Sequence, residues 1–358
     1  MEATGWSAGA GRGMARRHGF GDAAGLTVLG GCAVWSLVTA TARGGRPEGT
    51  LLAVLAVAAG YACGRIGGAL VPVAASAAAG IGGLCLVAVD PHGVPAPETT
   101  APLGHAGATA ALFALSAGAL CCAAWSARHR APRIAWHVAA AGTAVPAAVV
   151  GSGAGTVACG GIVLCSLAAA GARRRPAGLV GFGLVTALVA ALGAALAKGL
   201  LPSGPATTLA DRLTPHRVLL WRDALRLAES EPLLGVGPGR FEELSRALPP
   251  STPPDGKPHA ALLQVAAEQG IVGAVLLAAA YGWVLYALWC SARPTPVVLA
   301  AGAALTAVAA MASVGNALSF TTVTAGVGLL AGIATAEPLT DAPPHDVAAP
   351  ADVRGGHG

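Results

Sequence analysis

Runs of about twenty apolar residues recur along the whole chain, and nothing else in the sequence limits its fold as strongly. A hydrocarbon core of ~30 Å is crossed by ~20 residues of helix. Such runs are read near 24–42, 50–64, 67–89, 105–126, 133–150, 154–171, 178–197, 261–290, 296–314 and 317–336. Backbone groups in lipid must be satisfied within their own segment, so the helix is the expected form. The runs are also too long and unbroken for the alternating strands of a membrane barrel. Only 11% of residues are charged, against ~25% in a soluble domain whose surface faces water. The expected fold class is all-α: a polytopic transmembrane helical bundle of about ten spans, with the lipid bilayer as its surroundings. Small residues at Gly82-Gly83, Gly151, Gly153, Gly155 and Gly160-Gly161 are candidates for close helix packing.

Placement of positive charge tests the span count. If the N-terminus is cytoplasmic, the inside segments carry Arg12, Arg16 and Arg17; Arg65; Arg128, Arg130 and Arg133; Arg173 to Arg175; Arg293; and Arg354. The short outside loops carry only Arg43 and Arg46, and the loop 90–104 has no Lys or Arg. This alternation is what positive-inside topology predicts for ten spans with both termini in the cytoplasm. One missed span would invert every later loop and spoil it. The first apolar run, preceded by arginines, also has the outline of a secretory signal. Its length and the membrane segments that follow favour an uncleaved span. The expected organisation is 1–197 as N-terminal spans, 198–260 as one large extracytoplasmic loop with an amphipathic helix, 261–336 as C-terminal spans and 337–358 as a disordered cytoplasmic tail.

Basic residues occur in short clusters between apolar runs, which excludes a nucleic-acid stripe. The eight cysteines lie in or beside apolar segments without metal-ligand spacing, so they read as packing residues. The loop 198–260 nevertheless holds eight of the 22 Lys and Arg residues. A solvated surface and an anionic ligand both explain that concentration.

Within the loop, Thr214-Pro215 reads as an N-cap followed by Pro at the first helical position, opening a helix over 214–230. Val218, Leu220, Trp221, Ala224, Leu225, Leu227 and Ala228 share one broad face, with Arg222, Arg226 and Glu229 on the other. Such a helix is expected to lie along the outer membrane interface with Trp221 as anchor. Arg217 falls near the middle of the apolar arc, where it either snorkels or meets a buried anion. Gly235, Gly237 and Gly239 then alternate with Val and Pro ahead of Arg240 and a short helix over 241–248. That spacing makes a plain turn, or a nest of backbone N–H groups for phosphate, with Arg240 and Arg222 as further contacts. His259 opens the eighth span, where the helix dipole favours its neutral form and suits either a general base or a simple hydrogen-bonding residue. Gln264 and Glu268 share a face one turn apart. Glu268 lies deep enough to require a partner, and its wheel position opposite His259 suggests a packing or gating role.

Taken together, Arg217-Val-Leu-Leu-Trp221, the run Pro232 to Phe241, and His259-Ala-Ala-Leu-Leu-Gln264-Val-Ala-Ala-Glu268-Gln-Gly270-Ile-Val-Gly273 resemble the O-antigen ligase/polymerase superfamily of bacterial envelope glycan enzymes. The specific part spans about 217–273. The resemblance implies a plasma-membrane enzyme that takes a glycan from undecaprenyl diphosphate at the outer face and transfers it to an acceptor hydroxyl, as ligase or polymerase. Its partners would be the undecaprenyl-diphosphate-linked glycan and an acceptor glycan or lipid. It implies no metal and no other cofactor, because the diphosphate is already the leaving group. By the same carry-over Arg217 and His259 would be catalytic, as diphosphate cation and hydroxyl base, with Arg240 a helper. Two positions depart from the family pattern: Ala260 stands where Asn often follows the His, and Ser152-Gly153-Ala154 lacks the Arg of Ser-Arg-Gly. These departures keep open a non-catalytic envelope scaffold. A transporter or flippase is the third reading, disfavoured by the few intramembrane charges and the lack of obvious paired broken helices.

Overall fold

The computed structural model describes residues 5–89, 102–172, 174–200, 215–245 and 260–337. Among these every regular element is helical. The elements are α1 (Gly5–Arg43), α2 (Glu48–Leu70), α3 (Pro72–Val89), α4 (Pro102–Ser126), α5 (Arg130–Gly142), α6 (Ala144–Val149), α7 (Gly153–Ala168) and α8 (Arg175–Ala197). After these come α9 (Pro215–Ser230), α10 (Phe241–Leu244), α11 (Ala261–Cys290), α12 (Thr295–Val314) and α13 (Thr321–Thr335). Eight of them are long and apolar enough to cross a membrane, the first of these starting at Gly21. The chain is a multi-pass helical membrane protein.

The fifth and tenth expected spans take shorter forms. The run 133–150 is divided into α5 and α6 at Thr143, whose hydroxyl donates to the Ala140 carbonyl at 2.7 Å. Pro146 follows, and a proline there clashes with the carbonyl four residues earlier and interrupts the ladder. The run 317–336 begins with a 3-10 turn over Ala317–Ser319, leaving fifteen residues for α13. The disordered tail expected over 337–358 lies, except for Glu337, outside the described residues.

The helices still alternate in direction, as their end contacts show. Trp283 on α11 donates to the Gly21 carbonyl of α1, while Trp35 on α1 donates to the Gln269 carbonyl of α11, both at 2.9 Å. At the Gly21 end, arginines close the C-termini of helices, where carbonyls lack intrahelical partners. Arg65 donates to the Thr335 carbonyl of α13 at 3.0 Å and pairs with Asp22 at 3.4 Å. Arg175 donates to the carbonyls of Leu288 and, at 2.9 Å, Ser291 beyond α11. Buried Arg293 donates to the Gly68 carbonyl of α2. Residues 22, 65, 175, 293 and 335 therefore occupy one end of the bundle. Arg43, the α9–α10 segment and the start of α11 occupy the other.

Helices α4 and α12 run through the centre and supply much of the core, including Phe113, Leu120, Val297, Val298 and Val308. The closest helix pair is α2 with α13. A Cβ on Gly60 or Gly64 would strike the carbonyl oxygens of Ala325 or Leu329, and one on Gly328 or Gly332 would strike those of Val57 or Tyr61. Glycines at spacing four on both helices thus let backbones touch, as in membrane helix pairs built on small residues. Of the glycines expected to pack closely, Gly83 and Gly155 do so, against Ser116 and Ala110. Gly82, Gly151, Gly153, Gly160 and Gly161 face open space.

Candidate functional site

Helix α9 forms where its pattern predicts, but its apolar face meets protein. Trp221 and Leu220 are fully buried, joining Ala224, Leu227, Val236, Phe241, Ala260, Leu263 and Ala267 in one cluster with Leu196 and Ala197 of α8. Trp221 rests against Gly193, where a side chain would stand 3.7 Å from its ring. The interfacial anchor expected of Trp221 is thereby corrected. A fully buried indole has no headgroup layer to reach, and α9 is a lid clamped on the ends of α8 and α11.

Arg217 enters this packing from the N-terminal turn of α9. It is half-buried and donates from Nη1 to the Val314 carbonyl at 3.3 Å, the last residue of α12. Burial pushes its pKa below the usual guanidinium value, though a guanidinium stays protonated under any working condition. No carboxylate pairs with it among the described residues. A half-desolvated cation held by a carbonyl retains strong attraction for an anion.

The glycine turn after α9 is locked to a broken helix. Gly270 interrupts α11 with φ +71° and ψ −169°. The carbonyls freed by this break accept bonds from outside the helix: Ala267 from the Val236 amide, Glu268 from Gly237 and Gln269 from Trp35, each at 2.9 Å. The Ile271 amide donates to the Pro232 carbonyl at 2.8 Å. Irregular backbone at membrane depth must be satisfied by protein in this way. The approach is so close that a Cβ on Gly235 would strike Glu268, and one on Gly270 the Leu233 carbonyl. Gly235, Gly237 and Gly239 all have positive φ, between +63° and +105°. Their alternating spacing serves this docking: the Gly235 amide donates to the Glu231 carbonyl and that of Gly237 to Glu268, so neither is turned out as an anion donor.

The end of α1 clamps the turn from the other side. The Arg46 amide donates to the Pro238 carbonyl at 2.7 Å, Arg43 pairs with Glu231, and Arg240 donates to the Arg43 carbonyl at 2.7 Å. Arg240 also lies 3.5 Å from Glu243 in the single turn α10, shorter in the described residues than the 241–248 helix expected. Arg43, Arg46, Glu231 and Trp35 were not singled out from sequence as site residues. The available signal was that Arg43 and Arg46 are the only cations in the short loops of that side.

Glu268 is buried and accepts from Gln264 Nε2 at 3.3 Å, so the two residues expected to share a face do meet. His259 lies outside the described residues, as does Thr214. The next residue, Ala260, is buried in the cluster that holds Leu220 and Trp221, so the start of α11 is fixed against the helix that carries Arg217. Arg222 projects from the opposite, exposed face of α9.

A family model described as O-antigen ligase matches residues 151–278. This span contains α7 to α9, the glycine turn and the break in α11. The match supports a place in the O-antigen ligase/polymerase superfamily for this region. No curated protein and no solved structure matches the chain. The matched family implies a ligase/polymerase-type membrane enzyme of polysaccharide biosynthesis. Within the O-antigen ligase region, the pieces of sequence that carry the resemblance are physically one assembly: α9 covers α11, and the glycine turn fills its break.

Proposed function

We propose that the protein transfers a glycan from an undecaprenyl-diphosphate carrier to an acceptor hydroxyl at the outer face of the plasma membrane, with both termini cytoplasmic. The observation that carries this reading is Arg217: half-buried, without a carboxylate partner among the described residues, on a family-matched helix that packs against the start of α11. In the transfer, the bond from the sugar to the diphosphate breaks and a bond from the sugar to the acceptor oxygen forms. Negative charge builds on the departing diphosphate, where a fixed cation stabilises it most. Arg217 takes this role, and Arg240 assists from the glycine turn. His259 accepts the acceptor hydroxyl proton or orients that hydroxyl. Gly235, Gly237 and Gly239 hold the turn in place, and Gln264 and Glu268 stabilise the helix break. Neither metal nor nucleotide has a part in this scheme.

Reconstituting the purified chain with lipid-linked glycan and an acceptor tests it. Coupled formation of elongated or conjugated glycan and free undecaprenyl diphosphate is expected. Carrier turnover without a glycan product, or passage of intact lipid-linked glycan across the bilayer with no transfer, would contradict it. The second outcome would favour the flippase reading.

A further inference from the structure

The solvent face of α9 forms a second basic site, unconnected with Arg217. An open groove of about 410 Å³ lies between α9 and the adjoining end of α8, lined by Lys198, Arg222, Arg226 and Glu229 over Leu200 and Leu225. Arg226 follows Arg217 by nine residues, which at ~100° per residue places it on the opposite side of the helix. One phosphate cannot touch both.

We propose that this groove binds the phosphodiester head of an anionic glycerophospholipid. Its charge argues for that occupant. Lys198 lies 3.7 Å from Glu229, and Arg226 lies 3.2 Å from Asp223. Arg222 is exposed and has no carboxylate partner among the described residues. Among the described residues, three cations against two carboxylates leave one positive charge, which matches a singly charged phosphodiester better than a diphosphate. The apolar side argues the same way. Leu184, Leu188 and Leu192 are exposed at intervals of four along α8, forming a track that ends about 9 Å below Lys198 at 1.5 Å per residue. An acyl chain lying on this track brings its phosphate to the groove at the level where long basic side chains meet headgroups.

The test is lipid retention by the full chain, measured by native mass spectrometry from micelles doped with dioleoylphosphatidylglycerol, dioleoylphosphatidylcholine or undecaprenyl phosphate. Wild type is expected to retain phosphatidylglycerol over phosphatidylcholine, with a preference that falls as salt rises. One basic residue near a charged headgroup corresponds to about a fivefold change in binding. Arg222→Gln should reduce retention by that order, and Lys198→Gln with Arg222→Gln should abolish the preference. Arg130→Gln, exposed at the opposite end, should leave it intact. Equal retention of both phospholipids, or a preference that survives the double variant, overturns the proposal. Displacement of phosphatidylglycerol by equimolar undecaprenyl phosphate also overturns it, by assigning the groove to the polyprenyl carrier. Because the readout is binding without glycan transfer, it stands or falls separately from the catalytic reading.

Discussion

Arg217 and Trp221 stand one turn apart on α9, and the proposed transfer gives them opposite work, so their substitutions separate the two roles. Arg217→Gln keeps most of the hydrophobic stem's packing but removes the charge. Loss of a single preorganised charge contact at a transition state costs ~10²–10³ in rate, so transfer should fall by about that factor while the thermal midpoint in detergent changes little. A fall in stability equal to the fall in activity would assign Arg217 to folding alone. Trp221→Ala should do the reverse, destabilising the chain by ~3–5 kcal/mol, the cost of truncating a fully buried aromatic. The loss should be the same in detergent as in bilayer, whereas an interfacial anchor would lose stability only in the bilayer. The sequence pattern placed both residues on the covered face but could not say what covers it. An amphipathic helix beside a membrane has the same periodicity whether its apolar face meets lipid or Leu196, Ala260 and Leu263.

At the scale of elements, the central feature is the glycine turn seated in the break of α11. Gly270 and Gly235 each combine positive φ with contact between backbones. A side chain at either incurs ~1–2 kcal/mol for the left-handed backbone and then a steric clash as well. Gly270→Ala and Gly235→Ala are therefore predicted to lower the midpoint of thermal unfolding and to reduce transfer together. Gly153→Ala, in open space within α7, should change neither. If Gly235→Ala is as stable and active as wild type, the docking described for the turn is wrong. The sequence showed the turn glycines and the Glu-x-Gly-x-x-Gly run separately. Their mutual contact was not legible, because nothing in either segment's own periodicity reports which carbonyls a broken helix leaves free. Arg43 and Glu231, 188 residues apart, are a pairing that only the folded bundle reveals.

Across the whole molecule, the span pattern was the most legible property, since membrane thickness and backbone hydrogen bonding leave few alternatives. Less legible was the α2–α13 contact, although its signal was present as glycines four apart at 60, 64 and 68 and again at 328 and 332. Gly64→Leu should push these backbones apart and sharply lower the yield of folded protein, as read by the monodisperse fraction in detergent. Gly160→Leu, with nothing within 4 Å of the position, should not. The end contacts also make topology testable. An epitope inserted at Gly44 should be labelled in intact cells, and one at Arg128 only after permeabilisation. The opposite result would invert the bundle and place the site in the cytoplasm. Most direct for the account as a whole is glycan assembly in a deletion strain complemented by wild type, Arg217→Ala or His259→Ala at matched membrane levels. The account predicts that wild type restores polymer or conjugate while both variants fail and accumulate lipid-linked precursor. Full complementation by both variants would contradict it and make the chain a scaffold of its family.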